Sequence, residues 1–313
     1  MKILLTGACG FIGSNLASHL LNDGHHVLGF DSLVNPSLHP TDRIKKNSGE
    51  NWENFKFYQV DIRDLNAMKS ICANYKPDYI IHLAALGSVP RSFANPSEVM
   101  DVNVTGFSNV MMLATMLNCK RVVFASSSSV YGDDDSKLRA EAKIGKPLSP
   151  YALSKIQNEQ FADIWCKNIA LEYVGLRFFN VYGPGQLPDS QYSAVIPRFI
   201  NGKDITIFGD GETIRDFTYV DDVCEAIKLA LITDKHNQVY NVGTGEETNL
   251  KKLAFLCGQN KKEVKHIAER PADVRESVAA TFKSDIFLKF KAKISIEQGI
   301  EKTIEYYEGV NFG

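Results

Sequence analysis

Two residues that could do chemistry together, Tyr151 and Lys155, lie four positions apart in the run Ser149-Pro-Tyr-Ala-Leu-Ser-Lys155. If this run is helical, both side chains lie on one face of the helix. An ammonium group beside a phenol favours the phenolate and lowers the tyrosine pKa from its usual value of about 10. The pair would then supply a general base that works near neutral pH. The alternative is a solvated helical face that carries both residues by chance.

A glycine motif near the N-terminus gives this pair a context. Gly7, Gly10 and Gly13 follow a short apolar run and open a helical pattern. Glycines in such a strand-to-helix turn let the backbone approach the pyrophosphate of a dinucleotide. Phe11 and Ile12, at the start of the helix, are expected to contact the same cofactor. The alternative is a glycine-rich turn that binds no nucleotide.

Acidic residues at two later strand ends suit the rest of such a cofactor. Asp31 ends the second predicted strand about 20 residues after the glycines, where a carboxylate can accept hydrogen bonds from the adenosine ribose hydroxyls. A carboxylate there would repel a 2′-phosphate, so the sequence predicts NAD rather than NADP. Asp61 and Ile62, after the third strand, would lie beside the adenine. As alternatives, Asp31 could cap a loop, and an aspartate at a strand end is common.

The elements that must position these residues alternate along the first part of the chain. Several predicted strands are nearly continuous in Val, Ile, Leu and Phe, as expected of parallel strands buried on both faces. Strand alternating with helix predicts an α/β fold with a doubly wound parallel sheet of the Rossmann type. The predicted strands are 2–6, 26–31, 56–61, 79–84, 121–126 and 171–178, and the predicted helices are 13–22, 65–75, 99–117 and 152–167.

After residue 180 the chain contains more turn residues and shorter apolar runs. An edge strand is predicted at 205–208, a helix at 221–232, a strand at 238–242 that could return to the main sheet, and a helix at 296–307. We predict an NAD-binding domain of residues 1–180, together with 216–243, and a smaller mixed α/β lobe of residues 181–313 that binds the substrate. The polar loop 34–54 is predicted to be mobile or to cover the cofactor.

The composition excludes several other classes of protein. The 313 residues are 44% hydrophobic and 23% charged with a net charge of −2, so neither nucleic acid nor an anionic membrane is expected as a partner. The six cysteines form no Cys-x-x-Cys motif and no cluster with histidine, which predicts reduced, buried thiols and no metal site. No apolar run is long enough to span a bilayer and no leader is recognised, so a cytoplasmic protein is expected.

A series of runs along the chain resembles the extended short-chain dehydrogenase/reductases, and among them the nucleotide-sugar 4-epimerases. The runs occur in the family's order and cover nearly the whole sequence. Two others, Leu86-Gly-Ser-Val-Pro-Arg-Ser92 and Gly145-Lys-Pro-Leu-Ser-Pro-Tyr151, are similar to bacterial epimerases that prefer N-acetylated UDP-hexoses. The family runs are Thr6-Gly-Ala-Cys-Gly-Phe-Ile-Gly-Ser14, His82-Leu-Ala-Ala85, Ser126-Ser-Ser-Ser-Val-Tyr-Gly132, Tyr151-Ala-Leu-Ser-Lys155, Leu176-Arg-Phe-Phe-Asn-Val-Tyr-Gly-Pro184, Gly209-Asp-Gly-Glu-Thr-Ile-Arg-Asp-Phe217 and Glu269-Arg-Pro-Ala-Asp-Val-Arg275.

The resemblance implies a catalytic triad. Ser127 would hydrogen-bond the 4-hydroxyl of a sugar, Tyr151 as phenolate would remove its proton, and Lys155 would hold the nicotinamide ribose and stabilise the phenolate. The C4 hydride would pass to NAD⁺ and return to the other face of a 4-keto sugar. Ala84 would lie beside the cofactor. Without the resemblance, the serine run could be a polar junction between a strand and a loop.

The serine run also separates two reactions. The sugar 4,6-dehydratases that share the scaffold carry an Asp-Glu pair directly after the catalytic hydroxyl residue, for proton transfer at C5 and C6. Here those positions are Ser128 and Ser129, which cannot do that work. The resemblance therefore disfavours dehydration and places Ser128 beside the substrate.

Other matches imply residues for the uridine diphosphate. Asn180, Arg215 and Arg270 stand at positions where the epimerases hold this group, and an arginine fork can donate two parallel hydrogen bonds to phosphate. For Arg215 the alternative is an ion pair with Asp216. Ala272 stands where the family has glycine, a departure in the local turn.

The hexose end of the substrate is assigned in the same way. Ser88 and Arg91, after the fourth strand, would face the hexose, although both could be surface residues. Ser277 matches a position beside the C2 substituent, where tyrosine excludes an N-acetyl group and a small residue admits it. As an alternative, Ser277 could begin a surface strand. His82 is expected to be a buried core histidine rather than a catalyst.

The sequence thus predicts an isomerase, an NAD-dependent UDP-hexose 4-epimerase with UDP-GlcNAc and UDP-GalNAc as the preferred pair. One alternative is a 4-epimerase of the corresponding uronic acids, whose carboxylate Arg91 could bind. The other is a catalytically inactive NAD or nucleotide-sugar sensor, which the intact triad disfavours. The family pairs helices 99–117 and 152–167 across a twofold axis, so a homodimer is predicted; otherwise their apolar faces simply pack on the sheet.

Overall fold

The computed structural model describes residues 1–37, 39–187, 195–202, 204–258, 262–268 and 274–309. The described strands are β1 (Lys2–Thr6), β2 (His26–Asp31), β3 (Phe55–Gln59), β4 (Tyr79–His82), β5 (Arg121–Ser127), β6 (Glu172–Phe178), β7 (Val181–Tyr182), β8 (Ile205–Phe208), β9 (Ile214–Arg215), β10 (Thr218–Tyr219), β11 (Gln238–Val242), β12 (Thr248–Asn249), β13 (Val264–Ile267) and β14 (Glu276–Ser277). The described α-helices are α1 (Phe11–Asn22), α2 (Pro40–Ser48), α3 (Leu65–Tyr75), α4 (Val89–Ala94), α5 (Pro96–Met100), α6 (Gly106–Met116), α7 (Pro150–Cys166), α8 (Val195–Asn201), α9 (Val220–Ile232), α10 (Leu250–Leu256) and α11 (Ile296–Glu308).

Seven parallel strands form the central sheet, in the order β11-β6-β5-β4-β1-β2-β3. The chain winds outward from β1 in both directions, so β1 and β4 flank the point where the strand order reverses. In sheets of this kind, ligands bind beyond the carboxyl ends of the strands at that point. The doubly wound parallel sheet predicted from the sequence is confirmed.

Both faces of the sheet are covered by helices. Along β1 the side chains alternate: Ile3 and Leu5 belong to the core under α1 and α9, whereas Leu4 belongs to the core under α3, α6 and α7. All three are fully buried. Burial on both faces explains why the strand is apolar throughout rather than at every second residue.

The later part of the chain contributes to two regions. The strand β11 pairs in parallel with β6 and so completes one side of the central sheet. Farther on, α8, β8, α10 and α11 bury a separate core that includes Phe199, Ile205, Leu253 and Ile300. Short sheets accompany this core, in the order β12-β9-β14 and as the pairs β13-β8 and β10-β7. The domain boundaries proposed above remain a prediction.

Two segments differ from the sequence-based expectation. Much of the predicted loop 34–54 is helical, because α2 is followed by a 3₁₀ turn at Gly49–Asn54. Pro40 opens α2 at a position that suits its fixed φ, and Ile44 is buried against the core under α1. The helix predicted at 99–117 begins earlier, at Pro96, and contains a π-helical turn at Asp101–Thr105.

The six cysteines are buried and free of disulfide bonds, as the sequence predicts. Among the helices of the described ranges, none combines the length and the apolar character needed to cross a bilayer.

Candidate active site

The turn between β1 and α1 is built so that only glycine fits at two of its positions. Gly7 has a φ of +72°, and a Cβ atom there would lie 2.7 Å from the backbone nitrogen of Ala84. A Cβ at Gly13 would lie 1.9 Å from the carbonyl oxygen of Gly7. Gly10 caps α1 without a side-chain hydrogen bond, and the first amides of a helix lack intrahelical partners. The turn therefore presents backbone N–H groups that can bind an anion.

A cavity of about 350 Å³ opens in front of this turn, beyond the ends of β1, β2 and β4. It is lined by most of the residues that the sequence assigns to the cofactor, and by two assigned to the hexose. These lining residues are Gly7, Gly10, Phe11, Ile12, Gly13, Asp31, Asp61, Ile62, Ala84, Ser88 and Arg91. The glycine turn, the helix N-terminus and the acid at the end of β2 fit a dinucleotide.

The Asp31 carboxylate is fixed by the backbone. It accepts hydrogen bonds from the N–H groups of Cys9 at 2.9 Å and Leu33 at 2.8 Å. Burial raises the pKa of Asp31, and these N–H groups oppose that effect. A carboxylate accepts up to four hydrogen bonds, so Asp31 retains capacity for ribose hydroxyls.

Asp61 has a partner that the sequence analysis did not identify. Arg63 donates to both carboxylate oxygens of Asp61, at 3.0 and 2.6 Å, and also to Asp101 at 2.9 Å. The Arg63 guanidinium holds the pKa of Asp61 below its usual value. The side chain of Asp61 therefore lines the cavity as half of an ion pair.

The three residues of the predicted triad come together beside the cavity. Ser127 ends β5, while Tyr151 and Lys155 lie one turn apart on α7. A hydrogen bond joins Ser127 to Tyr151, and the Ser127 hydroxyl accepts from the N–H of Ser129 at 3.1 Å. Lys155 Nζ lies 5.9 Å from the centre of the Tyr151 ring. The helix places Tyr151 in its first turn because Ser149 caps it by accepting from Ala152 N.

The protonation of the triad differs from the expectation. Burial raises the pKa of Tyr151, and the hydrogen bond from Ser127 only partly opposes this. The prediction that Lys155 lowers the tyrosine pKa is wrong for this structure. The physical reason is that desolvation of the phenol dominates, while Lys155 Nζ donates to the carbonyl of Ala125 at 2.8 Å. Burial lowers the pKa of Lys155 itself to about 8.

Two charged residues behind the triad were not identified from the sequence. Glu159, one turn after Lys155 on α7, accepts from Arg177 Nε at 2.9 Å and from Arg177 Nη2 at 2.7 Å. Arg177 is buried, and Glu159 is mostly shielded from solvent. The sequence contained a sign of this pair, since Arg177 stands near the end of a strand that has no other charged residue after Glu172, and a charge buried there needs a partner.

Residues predicted to bind the substrate lie in two groups. Near the cavity, Ser88 caps α4 by accepting from the N–H of Arg91 at 3.2 Å. The Arg91 guanidinium donates to both oxygens of Glu98 at 3.1 Å. Arg91 is therefore already bound to an internal carboxylate. Ser128 lies in the 3₁₀ turn that follows β5.

The second group surrounds Asp216. The amide of Asn180 donates to the Asp216 carbonyl at 3.2 Å, and the Asp216 N–H donates to the carbonyl of Ser277 at 3.0 Å. Arg215 is the register partner of Ser277 between β9 and β14. Ser277 is only 7% exposed, so the alternative of a surface strand is wrong. Arg270 and Ala272 lie outside the described residues.

The contacts of Asp216 and His82 bear on two questions that the sequence left open, namely what the Asp216 carboxylate binds and whether His82 belongs to the core. The Asp216 carboxylate accepts from the N–H groups of Thr244 and Gly245, each at 2.9 Å, and so holds the segment after β11. His82 is buried in β4, its Nδ1 lies 2.8 Å from the Thr6 hydroxyl, and burial lowers its pKa to about 3. His82 is thus a neutral core histidine, as expected.

Comparison with known proteins gives the family of the chain. Residues 3–243 match the model of the NAD dependent epimerase/dehydratase family. The chain belongs to this family.

Relatives of this epimerase/dehydratase align over almost its whole length. A UDP-glucuronate 4-epimerase of Thermodesulfobacterium geofontis is 34% identical over 97% of the chain and 95% of its own sequence. The structure of a UDP-glucose 4-epimerase of Thermotoga maritima with UDP-glucose superimposes with a TM-score of 0.90, at 32% identity, covering 98% of this chain and 99% of that one. A UDP-N-acetylglucosamine 4-epimerase of Methanobrevibacter ruminantium, in complex with UDP-N-acetylmuramic acid, gives 0.89 at 32% identity and 98% coverage of both chains.

NAD is therefore the cofactor of this enzyme. The glycine turn and Asp31 agree with that, since together they suit a pyrophosphate and an unphosphorylated ribose. The three relatives carry three different sugars in their names.

Proposed function

We propose that this enzyme is an NAD-dependent UDP-sugar 4-epimerase whose preferred substrates are UDP-GlcNAc and UDP-GalNAc. The observation that carries the proposal is the grouping of Ser127, Tyr151 and Lys155 beside the cavity that fits NAD. Ser128 and Ser129 stand where a dehydratase needs an acid pair, which favours epimerisation within a family that contains both activities. The relatives named 4-epimerases support the same reaction.

Each residue of the triad has a physical role in this reaction. Ser127 has its hydroxyl oriented by the Ser129 N–H, so its proton can be donated to Tyr151 or to the sugar 4-hydroxyl. Tyr151 removes the proton of that hydroxyl as general base and returns it afterwards. Lys155 favours the phenolate once its ammonium faces the phenol. The glycine turn and Asp31 would hold NAD, which would supply a reversible hydride acceptor for C4 of the sugar.

The preference for an N-acetylated sugar rests on Ser277. Its side chain is small and lies in a buried strand next to Arg215, which we assign to the uridine diphosphate together with Asn180 and Arg270. A small residue at this place leaves room for an acetyl group at C2. The runs around Ser88 and Tyr151 that resemble N-acetylhexose epimerases support the same choice.

A uronic acid is the second candidate, favoured by the relative named UDP-glucuronate 4-epimerase. Arg91 is the residue that would bind the C6 carboxylate. To do so it would have to release or share Glu98, which holds it through two hydrogen bonds. A neutral C6 hydroxymethyl group requires no such exchange.

One experiment separates these possibilities. The purified protein is incubated in turn with UDP-GlcNAc, UDP-Glc and the corresponding uronic acids, and the epimers are separated by anion exchange. We expect conversion of UDP-GlcNAc at the highest kcat/KM. Faster conversion of a uronic acid would support the second candidate, and no conversion of any of the four would favour an inactive sensor.

A further inference from the structure

Successive residues at the end of β5 are each bound to one face of α7. The pairs are Ala125 with Lys155, Ser126 with Glu159, and Ser127 with Tyr151. The helix residues 151, 155 and 159 are spaced by four, so they form one stripe along α7. The strand end that carries the catalytic hydroxyl is thus attached to the helix that carries the base at three consecutive points.

Of the three α7 residues in this stripe, Glu159 is the one that does not belong to the predicted triad. Its Oε1 accepts from Ser126 Oγ at 2.5 Å, and both of its oxygens accept from the Arg177 guanidinium. The side chains of Glu159 and Arg177 are 11% and 4% exposed. A buried ion pair is tolerated when its remaining hydrogen-bonding groups are satisfied, and Ser126 supplies one of these bonds.

Arg177 is itself held in place on its far side. Its Nη1 donates to the Tyr131 hydroxyl at 3.1 Å, and that hydroxyl donates to Asn241 Oδ1 at 2.6 Å. The guanidinium also stacks on the Tyr131 ring, 4.9 Å from its centre. The carboxylate of Glu159 is therefore fixed directly from β5 and β6, and β11 supports it indirectly through Tyr131 and Arg177.

We propose that Glu159 is a positioning residue of the reaction, an inference that rests on the proposed function. Its carboxylate holds the end of β5 against α7 and so fixes the Ser127 hydroxyl relative to the Tyr151 oxygen. It also supplies the negative charge that supports the buried ammonium of Lys155 one turn away. A misplacement of about 1 Å between reacting groups can cost on the order of 10²-fold in rate.

The charge of Glu159 matters because Lys155 is only 2% exposed. Burial lowers the pKa of Lys155 to about 8, and Glu159 opposes this effect. Removing the carboxylate should make Lys155 lose its proton at a lower pH. The alkaline limb of the pH–rate profile, where the ammonium is lost, would then move to lower pH.

Other charged and titratable groups lie around Glu159 and Lys155. These are His82 on β4, Tyr131 after β5, Glu141, Tyr151 on α7, Tyr173 and Arg177 on β6, and Lys283 before the turn at Ser284–Leu288. His82 is neutral above a pH of about 3, burial raises the pKa of Tyr131 to about 12, and burial also raises the pKa of Tyr173 well above its usual value. These three groups therefore keep one protonation state across the pH range in which Lys155 titrates.

The test compares Glu159→Gln with a matched variant. Arg121 and Glu172 form a similar ion pair where β5 and β6 begin, at the end of these strands that lies away from Ser127. Arg121 Nε lies 2.9 Å from Glu172 Oε2. Glu172→Gln likewise removes one negative charge that pairs with a strand arginine, but it does so away from α7. Epimerase activity is measured from pH 6 to 10 for both variants and for the wild-type protein, together with their thermal midpoints.

We expect Glu159→Gln to lower kcat by about tenfold or more and to move the alkaline limb to lower pH by on the order of one unit, with KM little changed. Glu172→Gln should lower the thermal midpoint and leave the pH profile in place. Equal profiles for the two variants would overturn the proposal while the proposed function stands. A wild-type protein that converts no UDP-sugar would overturn both.

If Glu159→Gln fails to fold, Ser126→Ala decides the positioning role. This change removes one hydroxyl and leaves the Glu159–Arg177 pair intact. We expect a several-fold fall in kcat with KM and the alkaline limb unchanged. Wild-type kcat in a folded Ser126→Ala protein would overturn the positioning role.

Discussion

At the scale of single residues, we propose that the reaction depends on Tyr151 as its general base. Burial raises its pKa, so a neutral phenol is the resting form, and the phenolate requires positive charge close to the oxygen. Tyr151→Phe keeps the ring and removes the oxygen. We expect turnover to fall by about 10² or more, while UDP-sugar affinity measured by calorimetry changes little. Near-normal turnover would contradict the assignment of the base.

At the same scale, we propose that Ser277 determines which sugar the site accepts. We expect Ser277→Tyr to abolish conversion of UDP-GlcNAc by filling the space for the acetyl group, and to spare UDP-Glc. A rigid pocket discriminates a single methylene by only about 1–3 kcal/mol, whereas an acetyl group that clashes is excluded. Ser277→Ala, which stays small, is the control and should retain both activities. Equal loss on both substrates in Ser277→Tyr would show that Ser277 does not gate the site.

At the scale of elements, we expect the turn between β1 and α1 to determine cofactor binding. Gly7 and Gly24 precede and follow the same helix with φ of +72° and +77°. A Cβ at Gly7 would collide with the backbone of Ala84, whereas at Gly24 it would meet no heavy atom within 4 Å. Both alanine variants bear a similar backbone cost of about 1–2 kcal/mol. They differ in what the new methyl group contacts.

NAD is therefore expected to remain with the purified wild-type and Gly24→Ala proteins and to be lost from Gly7→Ala. Because epimerisation consumes no net hydride, a cofactor that left midway would strand the keto sugar, so tight binding is expected. The nucleotide released by denaturation is identified and counted against protein by chromatography. NADP in place of NAD would remove Asp31 from its assigned role, and equal retention by both variants would contradict the steric account of the turn.

At the scale of the whole molecule, exposed apolar side chains on α6 and α7 bear on oligomeric state. Ile164, Leu153 and Met116 are 65%, 39% and 48% exposed, although other positions of the same helices pack on the sheet. We propose that a second copy of the chain covers these residues in a homodimer. Burial of each large apolar side chain contributes roughly 1.5–3 kcal/mol, so several together can hold two chains.

Ile164→Glu should shift the protein from dimer to monomer in light scattering at micromolar concentration, because a charge buried in an apolar interface is costly. Ile232→Glu is the matched control. Ile232 ends α9 and is 69% exposed, so the same change is made at a similar exposure away from α6 and α7. A wild-type monomer would contradict the homodimer, and so would a dimer that tolerates Ile164→Glu.

The sequence by itself determined what depends on local spacing. Strands such as Lys2–Thr6 and His26–Asp31 were predicted to the residue, because continuous apolar runs between helical patterns have few other solutions in a soluble fold. The glycine turn is equally local, since its three glycines lie within seven residues of the chain. The four-residue spacing of Tyr151 and Lys155 also sufficed to place both on one face of a helix.

Only the tertiary structure decided how charged groups are paired and how strongly they are desolvated. Glu159 meets Ser126 and Arg177 from distant parts of the sequence, and Arg91 meets Glu98 across a break between two helices; no spacing rule predicts either pair. The direction of the Tyr151 pKa shift was wrong from the sequence for the same reason. A neighbour four residues away can be read from the chain, but the burial that outweighs its charge is set by every element packed around it.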